Sequence, residues 1–392
     1  MSIKIRVAIL YGGRSAEHEV SLLSARNVVA ALDRSRFEPI LVGIDKQGAW
    51  RLQDKRALLE APRDPRLVRL NTAGPTVSLT SEDFNAKAQR SKDAKNETSS
   101  LGVSAPLRQA PTLVSTNAVA AEVVFPVLHG PMGEDGTVQG MLELAGLPYV
   151  GAGVLGSAVG MDKDVMKRLL RDAGLPVTPF RTIRKSDFAR DPAASCALAA
   201  EVGFPIFTKP ANLGSSVGVR RVASASELRD ALAHAFAFDT KALTEAAVDG
   251  REIECSVLGN DTPIASLPGE IIVHHKDGFY SYDAKYIDEN GAALEIPAKL
   301  TPEQIGVVQS LAVRAFHALE CSGLARVDLF LRRTDGAFIV NEINTIPGFT
   351  AISMYPKLWE ASGIGPTELV SRLIDLALER HAERQKLKTS GE

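Results

Sequence analysis

The sequence predicts an α/β protein that opens on a parallel sheet and continues into further domains. Three observations predict it. An apolar strand-like run, IRVAILYGG, enters a glycine turn and is followed by helical spacing. Other strand-like runs recur downstream with helical runs between them, the pattern of a parallel sheet covered by helices. Finally, 392 residues with 45% hydrophobic content exceed one ordinary domain and can bury more than one core, so two or three domains are expected.

The elements follow in chain order. EVSLLSARNVVAALD places Val20, Leu23, Asn27, Val28 and Leu32 at helical spacing, which completes a strand-turn-helix unit. FEPILVGID and AEVVFPVLHG supply two further strands of the same domain. Residues 85 to 118 between them are polar and small, and read as a surface excursion rather than core. DKDVMKRLLRDAGLP is a helix with Asp162 as N-cap, Val165, Met166, Leu169 and Leu170 on its apolar face, and a Gly174 and Pro176 stop. Strand FPIFTKP, loop NLGSSVG, strand VGVRRV and a helix from Ser226 through Phe238 form a second unit. A strand-rich region then runs to about residue 300, and TPEQIGVVQSLAVRAFHALE is a capped amphipathic helix. Two strands come next, GLARVDLFL and AFIVNEIN, and a last helix spans Thr367 to about Lys386.

Composition narrows the function. Lys and Arg number 45 against 47 Asp and Glu, so no charge surplus points to nucleic acid or a membrane surface, and small molecules are the expected ligands. Cys196, Cys255 and Cys321 form no C-x-x-C pair, which fits small buried hydrophobes in a reducing compartment. The N-terminal apolar run is strand-length and lacks a small-residue cleavage site, and no segment has the apolar length to span a bilayer. A cytoplasmic protein is therefore expected.

The chemistry is concentrated in the two late strands. Alternate residues of a strand share a face, so Glu342 and Asn344 point one way, and Arg326 and Asp328 do likewise on their own strand. If these strands pair, three oxygen-bearing side chains and one guanidinium converge. Carboxylate and carboxamide oxygens suit a hard cation such as Mg²⁺, held partly by protein and partly by phosphate. Any one of these residues would read as a polar strand end, but the set is costly to bury unless it binds something.

Neither a Walker A sequence nor G-x-G-x-x-G occurs. In KPANLGSSVG, Lys209 ends a strand, and Gly214, Ser215, Ser216 and Gly218 follow. Such a loop can fold over polyphosphate like a flap. Lys163, near a helix start, is a second candidate phosphate ligand. HGPMGEDGTVQG sets His129 after an apolar strand and before a helix start that favours an anion. Its GEDG suggests a loop shaped to meet a substrate.

Taken in order, GGRSAEHEVSLLS, HGPMGEDGTVQG, MDKDVMK, KPANLGSSVGV, REIECSVLGN, FYSYDAKY, RVDLF and NEINTIPGFT resemble the ATP-grasp enzymes, and within them the D-alanine–D-alanine ligase family. The resemblance covers nearly the whole chain. It implies a three-domain ATP-grasp architecture with an N-terminal parallel α/β domain: 1–152 for the first D-alanine, 153–242 carrying the Gly/Ser flap, and 243–392 carrying the Mg site. It further implies ATP as co-substrate, two Mg²⁺ or Mn²⁺ ions, two D-alanine substrates, and a homodimer, as is usual among relatives.

Matched by position, Lys163, Lys209, Ser216, Glu245, Val248, Glu252 and Lys285 resemble ATP-binding residues, with Glu252 on the ribose hydroxyls. Asp328, Glu342 and Asn344 correspond to the metal ligands, with Glu342 bridging. Arg326 and the backbone N–H of Gly348 resemble oxyanion donors. The Pro347-Gly348 turn makes sense there, because it exposes an N–H and glycine permits close approach. Glu17 corresponds to the carboxylate on the first D-alanine's ammonium, linked by hydrogen bonds to Ser215 and Tyr286. His129 is placed near that D-alanine, and Ser353 and Leu358 near the second. Acyl-phosphate chemistry requires water to be excluded, and 275 to 299, with Gly278 and Gly291 as flexible points, is the candidate lid. Tyr286 and Ser353 resemble the amide-forming type rather than relatives that take D-lactate or D-serine. One departure concerns the adenine: Ala246 stands where some relatives carry Lys, so backbone groups are expected to serve there.

Overall fold

The structure, a computed structural model, describes residues 4–62, 64–80, 118–273 and 292–388. The expectations for Lys285, Tyr286, both lid glycines and residues 85–117 lie outside the described residues. Among the described residues no helix is long and apolar enough to cross a membrane.

The first sheet has the order β3-β2-β1-β6. Its strands β1 (Ile5–Gly12), β2 (Phe37–Ile44) and β6 (Val123–Val127) run parallel, and β3 (Trp50–Leu52) is an antiparallel edge. Val7 to Leu10 are fully buried, as a central parallel strand covered on both faces requires. β1 ends at Gly12, with φ +91°, where a Cβ would meet the Ile44 carbonyl oxygen at 2.3 Å. The turn thus delivers the chain directly into α1 (His18–Ala31). Short strands β4 (Ser78–Thr80) and β5 (Ala118–Ala120) pair separately.

The second sheet, β7-β10-β8-β9, is antiparallel: β7 (Phe180–Arg184), β8 (Ile206–Pro210), β9 (Arg220–Val222) and β10 (Lys241–Ala246). The third is also antiparallel: β11 (Gly250–Gly259), β12 (Ile264–Ala265), β13 (Gly269–Val273), β14 (Ala292–Glu295), β15 (Gly323–Arg332) and β16 (Phe338–Asn344). Along β15, Ala325, Val327 and Leu329 are buried and join the cluster of the capped helix Pro302–Ala318, while Arg326, Asp328 and Phe330 face the opposite way, toward the cleft described below. Thr301 and Gln304 form a capping box at that helix start, satisfying two otherwise orphaned N–H groups.

Four expectations about the fold need correction. The boundary drawn between 242 and 243 falls inside β10, whose whole length pairs with β7 and β8. Residues 153–176, assigned to the central unit, instead supply Met166, Leu170 and Leu175 to the core of the third sheet. The helix expected over 226–238 is a 3₁₀ turn, Ala225–Glu227, followed by Leu228–Ala235. On the helix Lys163–Asp172 the buried face is Asp164, Met166, Lys167 and Leu170, while Leu169 is exposed. Lys167 occupies the inner face because it has a buried acid to meet.

The first and third sheets share a core. Tyr355, Trp359, Leu369, Val370, Leu373 and Ile374, all from the last two helices, Met354–Ala361 and Pro366–Gln385, pack with Val7, Ile9, Phe37 and Val123 of the first sheet. This packing brings the first sheet's C-terminal loops over β15 and β16.

Candidate active site

A cleft of about 1310 Å³ opens between the three sheets. The β15/β16 register sets Arg326 opposite Asn344 and Asp328 opposite Glu342, so all four side chains line the cleft. Arg326 Nε and Nη2 donate to the two oxygens of Asp328 at 2.7 Å each, and Nε lies 2.9 Å from Glu254 Oε2. Burial alone would lower the Arg326 pKa, but Asp328 and Glu254 outweigh it and hold the guanidinium firmly charged. Asn344 Nδ2 donates to Asp328 Oδ2 at 3.0 Å.

Two carboxylates and one carboxamide are too few for an all-protein metal cage. Among the described residues no cluster of three His, Cys, Asp or Glu side chains could hold an ion. The donor set does fit a hard cation that takes its remaining oxygens from phosphate and water.

Lys163 and Lys209 border the same cleft. Lys163, the first residue of its helix, donates to the Leu213 carbonyl at 2.8 Å and lies 3.8 Å from Glu342. Lys209, on β8, pairs with Glu245. Glu245 also receives Lys167 Nζ at 2.9 Å, and both side chains of that pair are almost wholly buried. Burial would raise Glu245, yet Lys167 and Lys209 together hold it far below the usual carboxylate range. Burial lowers the Lys167 pKa, and Glu245 only partly opposes it; for Lys209 the same burial is outweighed by Glu245 and Glu342, which raise it. Val248 and Glu252 line the cleft just beyond.

The flap closes on the first domain. Ser215 Oγ donates to Glu17, which precedes α1, and both Ser215 and Ser216 have left-handed backbones, φ +51° and +58°. His129 is buried, with Nδ1 3.1 Å from the Ile346 carbonyl and Nε2 3.2 Å from Ser24 Oγ. Burial pushes its pKa down, keeping the ring neutral. Glu134 accepts from the Gly130 N–H at 2.7 Å. Burial, and then the charge of Glu17, push its carboxyl well up. At the far end, a Cβ on Gly348 would lie 2.9 Å from Ser353 Oγ, so a side chain there would force the Ser353 hydroxyl to shift.

The comparisons with known proteins bear on this geometry. A family model described as D-ala D-ala ligase N-terminus matches residues 6–152, and one described as D-ala D-ala ligase C-terminus matches 169–375. The chain belongs to the D-alanine–D-alanine ligase family. It is 49% identical over 388 residues to "D-alanine--D-alanine ligase A" of Bradyrhizobium diazoefficiens, covering 99% of this chain and 98% of that one. Among solved structures it resembles the D-alanine-D-alanine ligase from Coxiella burnetii, with TM-score 0.76 and 36% identity over 98% of this chain and 97% of that one. It also resembles the VanG D-Ala:D-Ser ligase from Enterococcus faecalis, with TM-score 0.74 and 33% identity over 96% of this chain and 100% of that one.

For a member of this ligase family, the cleft brings together nearly every described residue singled out in the sequence. Leu358 is the exception. It is fully buried in a cluster with Ile271 and Met354 and lies behind the wall, where Met354 and Lys357 face the cleft instead. Sequence reasoning missed Glu254, Glu134 and Lys167. Glu254 stands two residues after Glu252, and the period-two argument applied to Arg326 would have found it. Glu134 lay within a loop read as substrate-facing without being singled out, and nothing in the helix pattern marks Lys167.

Proposed function

We propose that this enzyme joins two D-alanines into D-alanyl-D-alanine, a peptidoglycan building block, at the expense of ATP. The observation that carries the proposal is the shared cleft. The Arg326–Asp328 and Glu342–Asn344 faces, the lysines 163 and 209, and the Glu17–Ser215 contact all border it.

A carboxylate oxygen of the first D-alanine, its ammonium on Glu17, attacks the γ-phosphorus and ADP leaves. Lys163 and Lys209 offset the phosphate charge during transfer. Mg²⁺ or Mn²⁺, held by Asp328, Glu342 and Asn344, would neutralise further charge on the transferring group. The amine of the second D-alanine, its carboxylate on Ser353, then attacks the acyl carbon. Arg326 and the Gly348 N–H stabilise the tetrahedral oxyanion, and the C–O bond to phosphate breaks as the departing phosphate takes up the proton that the amine loses. The His129 ring, neutral and engaged at both nitrogens, supports the site without exchanging a proton.

The test is phosphate release from Mg-ATP with D-alanine, L-alanine or no amino acid, with mass analysis of the product. Release with D-alanine alone, together with a dipeptide mass, supports the proposal. Release without amino acid would indicate a phosphatase, and no release a nucleotide-binding protein. Added D-serine and D-lactate identify any mixed product.

A further inference from the structure

We propose that Ser24 and Asn27 of α1 are positioning residues that, with His129, set the Gly348 N–H for the oxyanion; the inference rests on the ligase reading above. Three hydrogen bonds tie the first domain to the turn 346–349, and a fourth, within the first domain, joins two of the residues that make them. The Phe349 N–H donates to Ser24 Oγ at 3.1 Å, and Asn27 Nδ2 donates to the Phe349 carbonyl at 3.1 Å. His129 Nδ1 contacts the Ile346 carbonyl at 3.1 Å, and its Nε2 contacts Ser24 Oγ at 3.2 Å.

The chemistry of the partners fixes the direction of this chain. A carbonyl only accepts, so Nδ1 carries the proton and Nε2 accepts. Ser24 therefore donates to His129 while receiving Phe349. Ser24 is fully buried and His129 nearly so, which makes an unmade bond there costly. The peptide bearing the Gly348 N–H thus lies between two tied groups, Ile346 and Phe349. Its own freedom is cut by Pro347, whose ring fixes φ. Phe349 is held from the other side by its ring, edge-on to Phe125 with centroids 6.2 Å apart.

The same helix bears on the first substrate. Glu17 directly precedes α1, and Ser24 and Asn27 follow it by seven and ten residues. At roughly 1.5 Å per residue, these intervals are about 10 and 15 Å along the axis. α1 therefore acts as a rigid spacer between the ammonium site and the oxyanion turn, so that docking of the first domain sets both.

The experiment uses the full-length enzyme as wild type, Ser24→Ala, Asn27→Ala and the double variant. D-Alanine-dependent phosphate release gives kcat and the KM for ATP, and hydrogen exchange is followed at peptides covering 346–349. The expected result is a fall in kcat of about 10- to 100-fold for each single variant, with KM for ATP within about twofold. Exchange in 346–349 should be faster, and the double variant should lose less than the product of the singles, because both residues hold one peptide. Wild-type kcat, unchanged exchange, or a rise in KM for ATP that matches the fall in kcat would overturn the proposal. Asn27 is only partly buried, so its variant keeps the test open should Ser24→Ala misfold. A wild type without D-alanine-dependent turnover would instead sink the ligase reading, and the exchange result would still judge the latch.

Discussion

Replacing Lys167 with Met removes a buried ammonium while keeping most of its volume. Lys167 Nζ bonds Glu245 at 2.9 Å, the Asn341 carbonyl at 3.0 Å and Thr178 Oγ1 at 3.2 Å. Removing one partner of a buried pair costs about 3–5 kcal/mol. Glu245 keeps Lys209 and the Thr178 hydroxyl, so we expect the lower part of that range, about 3 kcal/mol. Calorimetry should then show the transition containing the second sheet lowered by about 6–12 °C, at about 2–4 °C per kcal/mol. The pH dependence has a definite sign. Glu245 is depressed in the folded protein, so its contribution is complete above the unfolded carboxyl value of about 4.3 and is lost as pH falls below it. Without Lys167 the folded pKa rises, and acid unfolding should begin at higher pH. Adding Glu245→Gln should not restore the loss, because Lys209 then loses its carboxylate partner in turn. A Lys167→Met protein within about 1 °C of wild type, or a double variant restored to wild-type stability, would refute the reasoning.

Arg326→Ala should lower kcat by about 100-fold or more while changing ATP affinity little, as for loss of an oxyanion donor; equal losses in turnover and nucleotide binding by titration would contradict that role. Glu17→Gln should raise KM for the first D-alanine about tenfold or more, because a charge-assisted contact is lost, and an unchanged KM in initial-rate kinetics would remove Glu17 from the substrate site. Thiol titration should find one fast cysteine in the native enzyme and three in denaturant. Cys196 is half-buried, whereas Cys255 and Cys321 are buried, with thiols pushed up to about 12; three fast thiols in the native enzyme would mean that the third sheet's core opens readily.

The parts of this protein legible in its sequence are those set by local periodicity. The alternation of Arg326 with Asp328 and of Glu342 with Asn344 anticipates a shared face, and the observed register supplies it. The run from Ile5 to Gly13 likewise reads as a central strand entering a turn, which the structure contains. What escaped depends on partners distant in sequence. Lys167 is drawn inward by Glu245, 78 positions later, while Leu169 on the same helix stays exposed. The boundary at 242 failed because sheet membership of β10 is decided by pairing with β7 and β8, which no pattern within β10 records. Leu358 and Met354 are both apolar and close together on one helix, and only packing decides which of them faces the cleft.

The shared core of the first and third sheets also constrains how the chain can be made. Tyr355 and Trp359 are fully buried in a cluster with Val7, Ile9 and Phe125, so the hydrophobic face of the earliest strands waits for residues synthesised much later. Roughly 200 residues separate the end of the first domain from Trp359, which at about 5–20 residues per second is on the order of 10–40 s of translation. During that interval α1 covers only part of that face, and the rest lacks its final cover. Truncations that stop short of the last two helices should therefore be lost to aggregation or proteolysis rather than accumulate as a folded N-terminal domain.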